Sequence, residues 1–168
     1  IVTQSNKPAA SHTNDTIYSF ENQICIGSFD DNEVYISQND DYDDFTFSAP
    51  RIAGEGSLLT LDGPSRGISS VGKILVPFAG EDSIFRCNYE EITVSTTLAE
   101  TLRVKKLQTA TKQGSKDPNS IIQTGKEIIY LSNEPALRSI QDPDQVEGFN
   151  PKTLSNPIKP DFDAEDFT

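Results

Sequence analysis

The sequence has no tryptophan, no methionine and a single histidine, His12, among its 168 residues. One histidine in a polar segment argues against a zinc site built from several histidines and against a catalytic triad centred on a buried histidine. Ser65 and Ser69 are preceded by glycine- and proline-containing turns, but no histidine lies near them in sequence to activate a hydroxyl. The sequence therefore predicts a protein that is not an enzyme and binds no cofactor.

Cysteine is scarce as well, since Cys25 and Cys87 are the only two. Each lies in an apolar, strand-like run, and neither has a second Cys or His at the spacing of a metal pair. Two cysteines are too few for the disulfide framework of a small secreted domain. The interpretation we favour is two free, buried thiols, with one long-range disulfide as the alternative.

Positively charged residues are also few, and long apolar runs are absent from the sequence. Lys and Arg total 14 against 26 Asp and Glu, which gives a formal net charge of −12. Such a surface repels nucleic-acid phosphates and anionic lipids. No apolar run approaches the roughly 20 residues that cross a bilayer. We expect neither sequence-specific nucleic-acid binding nor a membrane partner.

What the sequence does contain is a series of short runs in which apolar and polar residues alternate. "TIYSFENQICIGS" holds two such runs around Glu21-Asn22, which predicts a hairpin. Further runs are "NEVYISQ", "DFTFS", "GSLLTLDG" and "KEIIYLS", the last followed by a turn at residues 133–135 and then "PALRSIQ". A spacing of about 8–12 residues is typical of a sandwich, barrel or propeller. The sequence therefore predicts an all-β fold of short antiparallel meander strands.

The middle of the chain permits two interpretations. Lys73–Phe78, Ser83–Tyr89 and Glu91–Ser95 are predicted to be strands, with a turn at residues 80–82 between the first two. The next segment, "STTLAETLRVKKLQ", fits a capped helix and also fits a strand from Leu102 to Leu107. The β character of the flanking segments favours the strand.

Composition divides the chain into three parts. Residues 1–15 are polar and aperiodic and are predicted to be a flexible leader. Residues 16–141 carry the alternating runs and are predicted to form the β-rich domain. Residues 142–168 hold four of the ten prolines and seven acidic residues, which predicts an extended connector to a missing module or partner. Its expected anchors are Phe149, Phe162 and Phe167. Because the sequence has no methionine, we expect a piece of a longer polypeptide.

An acidic cluster surrounds Tyr42 and consists of Asp40, Asp41, Asp43 and Asp44. The cluster lacks the glycine and the bidentate glutamate that a calcium loop needs. Exposed neighbours on one loop also lack the burial that raises a catalytic carboxylate's pKa. A solvated turn between adjacent strands is the interpretation we favour, because Asp side chains bond their own backbone in turns.

The one positively charged stretch includes Arg103, Lys105 and Lys106. In a strand, charges of this kind form a solvated face or protect an edge from unwanted pairing. The alternative is a docking patch for an acidic surface on a neighbouring subunit. This alternative makes Arg103, Lys105 and Lys106 candidates for assembly.

A longer pattern resembles a known family. "NQICIGSFDDNEVYISQNDDYDDFTFS" is similar to a segment of tailed-bacteriophage virion proteins of the tail-nozzle and packaged-DNA-stabilisation type. In that family a strand ending in Gly leads through a polar turn to a Val-Tyr-(Phe/Ile)-Ser strand, an acidic turn with an aromatic, and a Phe-containing strand. "SRGISSVGKILVPFAGEDSIFRCNY" and "DPNSIIQTGKEIIYLSNEPALRSI" resemble later parts of the family. The resemblance spans residues 22–141 and carries no catalytic residue; tryptophan, common in such blades, is absent here.

The resemblance implies a few blades of a β-propeller in a structural component of the virion. Such a protein belongs to the tail nozzle or connector, where it helps to assemble the tail, retains packaged DNA and lets it pass on ejection. Its implied partners are other copies of itself in a ring and the tail, portal or adaptor proteins of a virion assembled in the host cytoplasm. Negative charge fits a DNA path that repels phosphates. The alternative is an extracellular carbohydrate-binding or adhesive β-domain with Tyr35, Tyr42 and Tyr89 as an aromatic platform.

Overall fold

The computed structural model describes residues 2–5, 15–49, 55–80, 82–94, 97–105, 113–141 and 151–155, with the backbone alone in 2–5, 15, 47–49, 88–94 and 97–105. These ranges contain fifteen strands: β1 Val2–Ser5, β2 Asp15–Phe20, β3 Gln23–Ser28, β4 Glu33–Ile36, β5 Thr46–Ala49, β6 Ser57–Thr60, β7 Ser65–Val71, β8 Ile74–Ala79, β9 Ser83–Ile84, β10 Arg86–Val94, β11 Thr97–Lys105, β12 Ile122–Gln123, β13 Glu127–Ser132, β14 Ala136–Gln141 and β15 Lys152–Thr153. The helical content of the same ranges is one 3₁₀ turn, Pro118–Ser120.

Three antiparallel sheets, of four, five and four strands, follow one another along the chain. The first sheet has the order β2-β3-β4-β6, the middle sheet β7-β8-β10-β11 with β9 also paired to β8, and the last sheet β12-β13-β14-β15. Every pairing is antiparallel, and β1 and β5 form a separate two-stranded ribbon. The prediction of an all-β fold with antiparallel sheets is confirmed.

Two predicted hairpins are present with their turns in the expected places. β2 and β3 pair from Asp15↔Ser28 to Phe20↔Gln23, which leaves Glu21 and Asn22 as the two-residue turn. Glu21 has a φ of 51°, as the primed turns of two-residue hairpins require. β13 and β14 likewise pair up to Ser132↔Ala136 around the predicted turn.

The segment with two interpretations is a strand. β10 and β11 pair over nine residues each, from Arg86↔Lys105 to Val94↔Thr97, so the strand starts well before the predicted Leu102. The predicted break between Ser83–Tyr89 and Glu91–Ser95 is wrong. The backbone of β10 continues through its acidic pair because β11 supplies a partner along its whole length. The actual interruption falls earlier, at Phe85, whose amide donates to Pro77 O at 2.9 Å.

Two segments predicted to lie outside the domain contribute short strands. Val2–Ser5 pairs with β5, and Lys152–Thr153 pairs with β14 at the edge of the last sheet. An edge position suits β15 because Pro151, which has no amide hydrogen, stands immediately before it. Apart from residues 2–5 and 151–155, the predicted leader up to residue 14 and the predicted connector lie outside the described residues.

Both faces of the middle sheet are buried at β8. All six residues of β8 are buried, as expected of an apolar run rather than an alternating one. Leu75 and Ala79 pack in a cluster with the first sheet, whereas Val76 and Phe78 pack in a second cluster with the last sheet. The rings of Phe78 and Tyr130 meet edge to face with centroids 5.0 Å apart, a favourable aromatic geometry.

In the last sheet β13 buries one face, whereas in the first sheet three successive residues of β4, Val34–Ile36, are buried. Along β13, Ile128, Tyr130 and Ser132 are buried, and the residues between them are partly exposed. This strict alternation matches the period of a half-buried strand. No helix in the described part of the chain is long and apolar enough to span a membrane.

Candidate functional site

The first strands of the three sheets converge. β7 lies beside β2 and β3 on one side and beside β12 and β13 on the other. Glycines allow the approach at both junctions. A Cβ on Gly27 would lie 2.3 Å from Ser65 Oγ, and a Cβ on Gly67 would lie 2.5 Å from Ile121 Cδ1. Gly27 leaves room for Ser65, whose own Cβ would lie 2.9 Å from an added Cβ, and the φ of 153° at Gly67 favours glycine, so both positions suit glycine.

Three side chains form a hydrogen-bond network where the first strands of the sheets meet. The Tyr18 hydroxyl on β2 donates to Gln123 Oε1 on β12 at 2.7 Å and lies 2.8 Å from Ser70 Oγ on β7. Gln123 Nε2 donates to Ser70 Oγ at 3.3 Å. Because Tyr18 gives its only proton to Gln123, Ser70 is the donor to Tyr18. Each group therefore donates once and accepts once, in a closed ring that joins all three sheets.

This network was missed at the level of sequence. Tyr18, Ser70 and Gln123 come from three different runs, and no local spacing relates them. In the structure, the three side chains hydrogen-bond to one another. Their arrangement holds strands together and offers no activated nucleophile.

The acidic cluster forms a compact turn built by its backbone. Asp40 has a φ of 58°, and its amide donates to Asn22 O at 2.9 Å. The Gln38 amide donates to Asp44 O at 2.7 Å. Asp44 Oδ1 accepts from the Thr46 amide at 2.8 Å and from Thr46 Oγ1 at 2.7 Å. The turn does not join hydrogen-bonded neighbours as expected, because β4 pairs with β6 while β5 pairs with β1.

Electrostatics within the turn are repulsive. A hydrogen bond with the Asp43 side chain, followed by slight desolvation and the charges of Asp43 and Asp44, raises the pKa of Asp41 above its usual range. Adjacent carboxylates share a proton in this way because both cannot ionise freely. Within the described ranges, no group of three or more His, Cys, Asp or Glu side chains has an arrangement that could hold a metal ion.

The other predicted site residues are only partly placed. Arg103 and Lys105 lie in β11, opposite Asn88 and Arg86 in the register with β10. β11 is the terminal strand of the middle sheet among the described strands, and the protective and docking roles of these residues stay predictions. Lys106, Phe149, Phe162 and Phe167 lie outside the described residues.

The aromatic platform of the alternative function is not formed as expected. Tyr35 is only 6% exposed, and its hydroxyl donates to Glu33 Oε2 at 2.6 Å. A sugar-binding platform needs open ring faces, so Tyr35 cannot be part of one. Tyr42 is 56% exposed on the acidic turn, and the side chain of Tyr89 is outside the described part of the chain.

Both cysteines are free and buried, as the sequence predicts. They lie in the core cluster between the first and middle sheets. Burial raises the pKa of each thiol from 9.0 to about 12, and the nearby Cys25 adds to the effect on Cys87. Thiols that resist ionisation are poor nucleophiles, so these two serve packing.

Arg138 is a buried cation that ties together the last sheet. Its Nε donates to Ser132 Oγ at 3.0 Å, and Nη1 donates to Thr153 Oγ1 at 3.1 Å. Nη2 forms an ion pair of 2.9 Å with Glu134, whose side chain is 61% exposed. The guanidinium therefore links β14 to the end of β13, to β15 and to the intervening turn. A buried charge needs such partners to offset its desolvation.

No protein-family profile matches the chain, and no curated protein is significantly similar to it.

Proposed function

We propose that this protein is a structural component of a bacteriophage virion, built from consecutive blades of a β-propeller in the tail nozzle or connector region. In this role it assembles with other copies of itself and with tail, portal or adaptor proteins, helps to retain packaged DNA, and lets the DNA pass on ejection. It carries out no reaction and uses no cofactor.

One observation carries the propeller part of the proposal. Three antiparallel sheets of four, five and four strands are consecutive in the chain, and their first strands converge on the Tyr18–Ser70–Gln123 network. Propeller blades are four-stranded sheets arranged radially, with one strand of each blade nearest the axis. In this arrangement β7, the first strand of the middle sheet, lies beside the first two strands of each neighbouring sheet, which fits blades that meet near a common axis.

The character of the polar groups supports a mechanical role. Where the first strands converge, the side chains of Tyr18, Ser70 and Gln123 hydrogen-bond to one another and so join the three sheets. In the last sheet, Arg138 joins strands in the same way. The resemblance of residues 22–141 to tail-nozzle proteins supplies the virion part of the proposal.

Electron microscopy of native particles tests the proposed location. We expect the chain in a symmetric ring next to portal or tail proteins. Particles of the same source from which the chain is absent would contradict the proposal, as would specific glycan binding by the purified chain. A second expectation follows from the net charge of −12: the wall of the DNA path in that ring should be acidic, and a strongly basic wall would count against it.

A further inference from the structure

The outer face of the first sheet carries an apolar row. Ile17, Ile26, Tyr35 and Leu58 are successive register partners across β2, β3, β4 and β6. Opposite residues of a sheet project to the same side, so this row crosses all four strands on the face directed away from the middle sheet. Ile26 and Leu58 are partly exposed and Ile17 is 68% exposed, whereas Tyr35 is only 6% exposed, so the open part of the row consists of Ile17, Ile26 and Leu58.

The outer face of the last sheet carries a similar apolar patch. Ile122 pairs with Ile129, and Leu131 pairs with Leu137 two positions along the same face. Ile129, Leu131 and Leu137 are partly exposed, and Ile122 is 58% exposed. Exposed aliphatic groups collected on one sheet face indicate an interaction surface.

The two faces correspond to each other. Ile17 immediately precedes Tyr18, and Ile122 immediately precedes Gln123, the two residues whose side chains bond at the convergence. Ile17 and Ile122 therefore occupy equivalent positions in the first strands of their sheets. They lie on the two outermost faces of the three packed sheets. Each end presents the kind of face that is already covered inside the chain, where the middle sheet packs on both neighbours.

We propose that a second copy of this chain covers both faces, with the last sheet of each copy packed on the first sheet of the other. Two such contacts are equivalent by symmetry and close a ring of six sheets. Known propellers have about four to eight blades, so six is an ordinary number for closure. The inference rests on the radial arrangement in the proposed function, and it continues the sheet-on-sheet packing between adjacent sheets of one chain.

The net charge of the chain determines the salt concentration at which two copies are expected to associate. Each copy carries a net charge of −12, so two copies repel at low ionic strength, and salt weakens that repulsion. The apolar contact is not weakened by moderate salt. We therefore expect pairing to strengthen as salt is raised from about 0.01 to 0.5 M, which is the opposite of an interface held by ion pairs.

Sedimentation velocity and native mass spectrometry of the purified chain test the proposal. We expect a species of twice the 18.5 kDa chain mass at concentrations up to about 100 µM, above the Kd of a weak specific interface. Ile17→Asp and Ile122→Asp should each weaken pairing by about 100-fold, because each variant alters both contacts of the ring. The matched control is Tyr42→Asp, which places the same charge at another exposed apolar residue and should leave pairing unchanged.

Mixing the two variants identifies the geometry. A head-to-tail pair of an Ile17→Asp copy and an Ile122→Asp copy keeps one contact with both isoleucines, so the mixture should pair more tightly than either variant alone. Both substituted side chains are exposed in the single chain, and circular dichroism should show its β content retained.

Three results would overturn the proposal: a monomer at all salt concentrations, a dimer insensitive to both variants, or a dimer sensitive to only one of them. The last would mean that like faces pair. None of these affects the proposed virion role, which is judged on native particles. Conversely, a chain that pairs through these faces but is absent from particles would contradict the virion role alone.

Discussion

The Tyr18 hydroxyl donates to Gln123 Oε1 across 105 positions of sequence, at 2.7 Å. This bond joins the first sheet directly to the last and bypasses the sheet between them in the chain. The middle sheet joins the network through Ser70. A contact between the outer two of three sheets is possible because the first strands meet at one place, and it defines how the sheets are arranged.

Removal of the Tyr18 hydroxyl should destabilise the protein. Tyr18→Phe keeps the ring and deletes two hydrogen bonds, and it leaves Ser70 and Gln123 with one partner fewer. We expect the free energy of unfolding to fall by about 1–2 kcal/mol in urea denaturation. Tyr42→Phe, the same change at an exposed tyrosine, should stay within about 0.5 kcal/mol. Equal effects at the two positions would mean that the network contributes nothing to stability.

Substitutions on β8 should show that both faces of the middle sheet are core. Leu75→Ala opens a cavity towards the first sheet and Phe78→Ala opens one towards the last, so each should cost about 3–5 kcal/mol. Leu131→Ala, on the partly exposed outer face, should cost about 1 kcal/mol in dilute solution. Thermal or urea unfolding measures all three. A small effect for either β8 variant would show that one face of the middle sheet is not packed.

Arg138 should matter far more than its ion-pair partner. Arg138→Met keeps the aliphatic stem but removes three hydrogen bonds and leaves Ser132 and Thr153 without this donor, so we expect a loss of about 2–4 kcal/mol. Glu134→Gln, at a side chain that is 61% exposed, should cost less than about 1 kcal/mol. Denaturant titrations of the two variants separate the effects. A comparable loss for Glu134→Gln would assign the stability to the charge pair instead.

The buried thiols should make the protein less stable in alkali. Their pKa rises from 9.0 to about 12 in the folded chain, so below pH 9 both states hold the protons and the thiols contribute no pH dependence. Above pH 9 the unfolded chain releases protons that the folded chain keeps. Stability should then fall by about 1.4 kcal/mol per pH unit for each thiol until the folded groups ionise near pH 12.

The Cys25→Ala/Cys87→Ala variant is the control for that slope. Its stability should be lower at neutral pH because two core side chains are shortened. Between pH 9 and 10, however, its unfolding free energy should lose most of the pH dependence seen in the parent chain. A parent-like slope in the variant would assign the alkaline transition to the tyrosines.

Local pattern was sufficient to predict most strands of the outer sheets, but it missed the two-residue strands β12 and β15. Alternation in "TIYSFENQICIGS" and in "KEIIYLS" reports which side chains face a core, because neighbouring residues of a strand point to opposite sides. Pattern was insufficient for the middle of the chain. β8 is apolar throughout because both of its faces are covered, and β10 runs through its acidic pair because β11 pairs along its length.

The candidate site was also predictable from the sequence only in part. The acidic segment is recognisable as a turn because Asp bonds its own backbone there, as Asp44 does with Thr46. The sequence does not indicate which strands pair around this turn, since β4 pairs with β6, which follows β5 in the chain. Tyr35 could not be told from an exposed aromatic, because its burial depends on the whole sheet.

By itself, the sequence determined the class of fold and the positions of most turns, because these depend on residues close together in the chain. Only the tertiary structure decided which strands converge, which faces stay open and which hydroxyl meets which amide. Those relations depend on contacts between sheets, and the separation of Tyr18 from Gln123 in the chain leaves no local pattern from which they could be read.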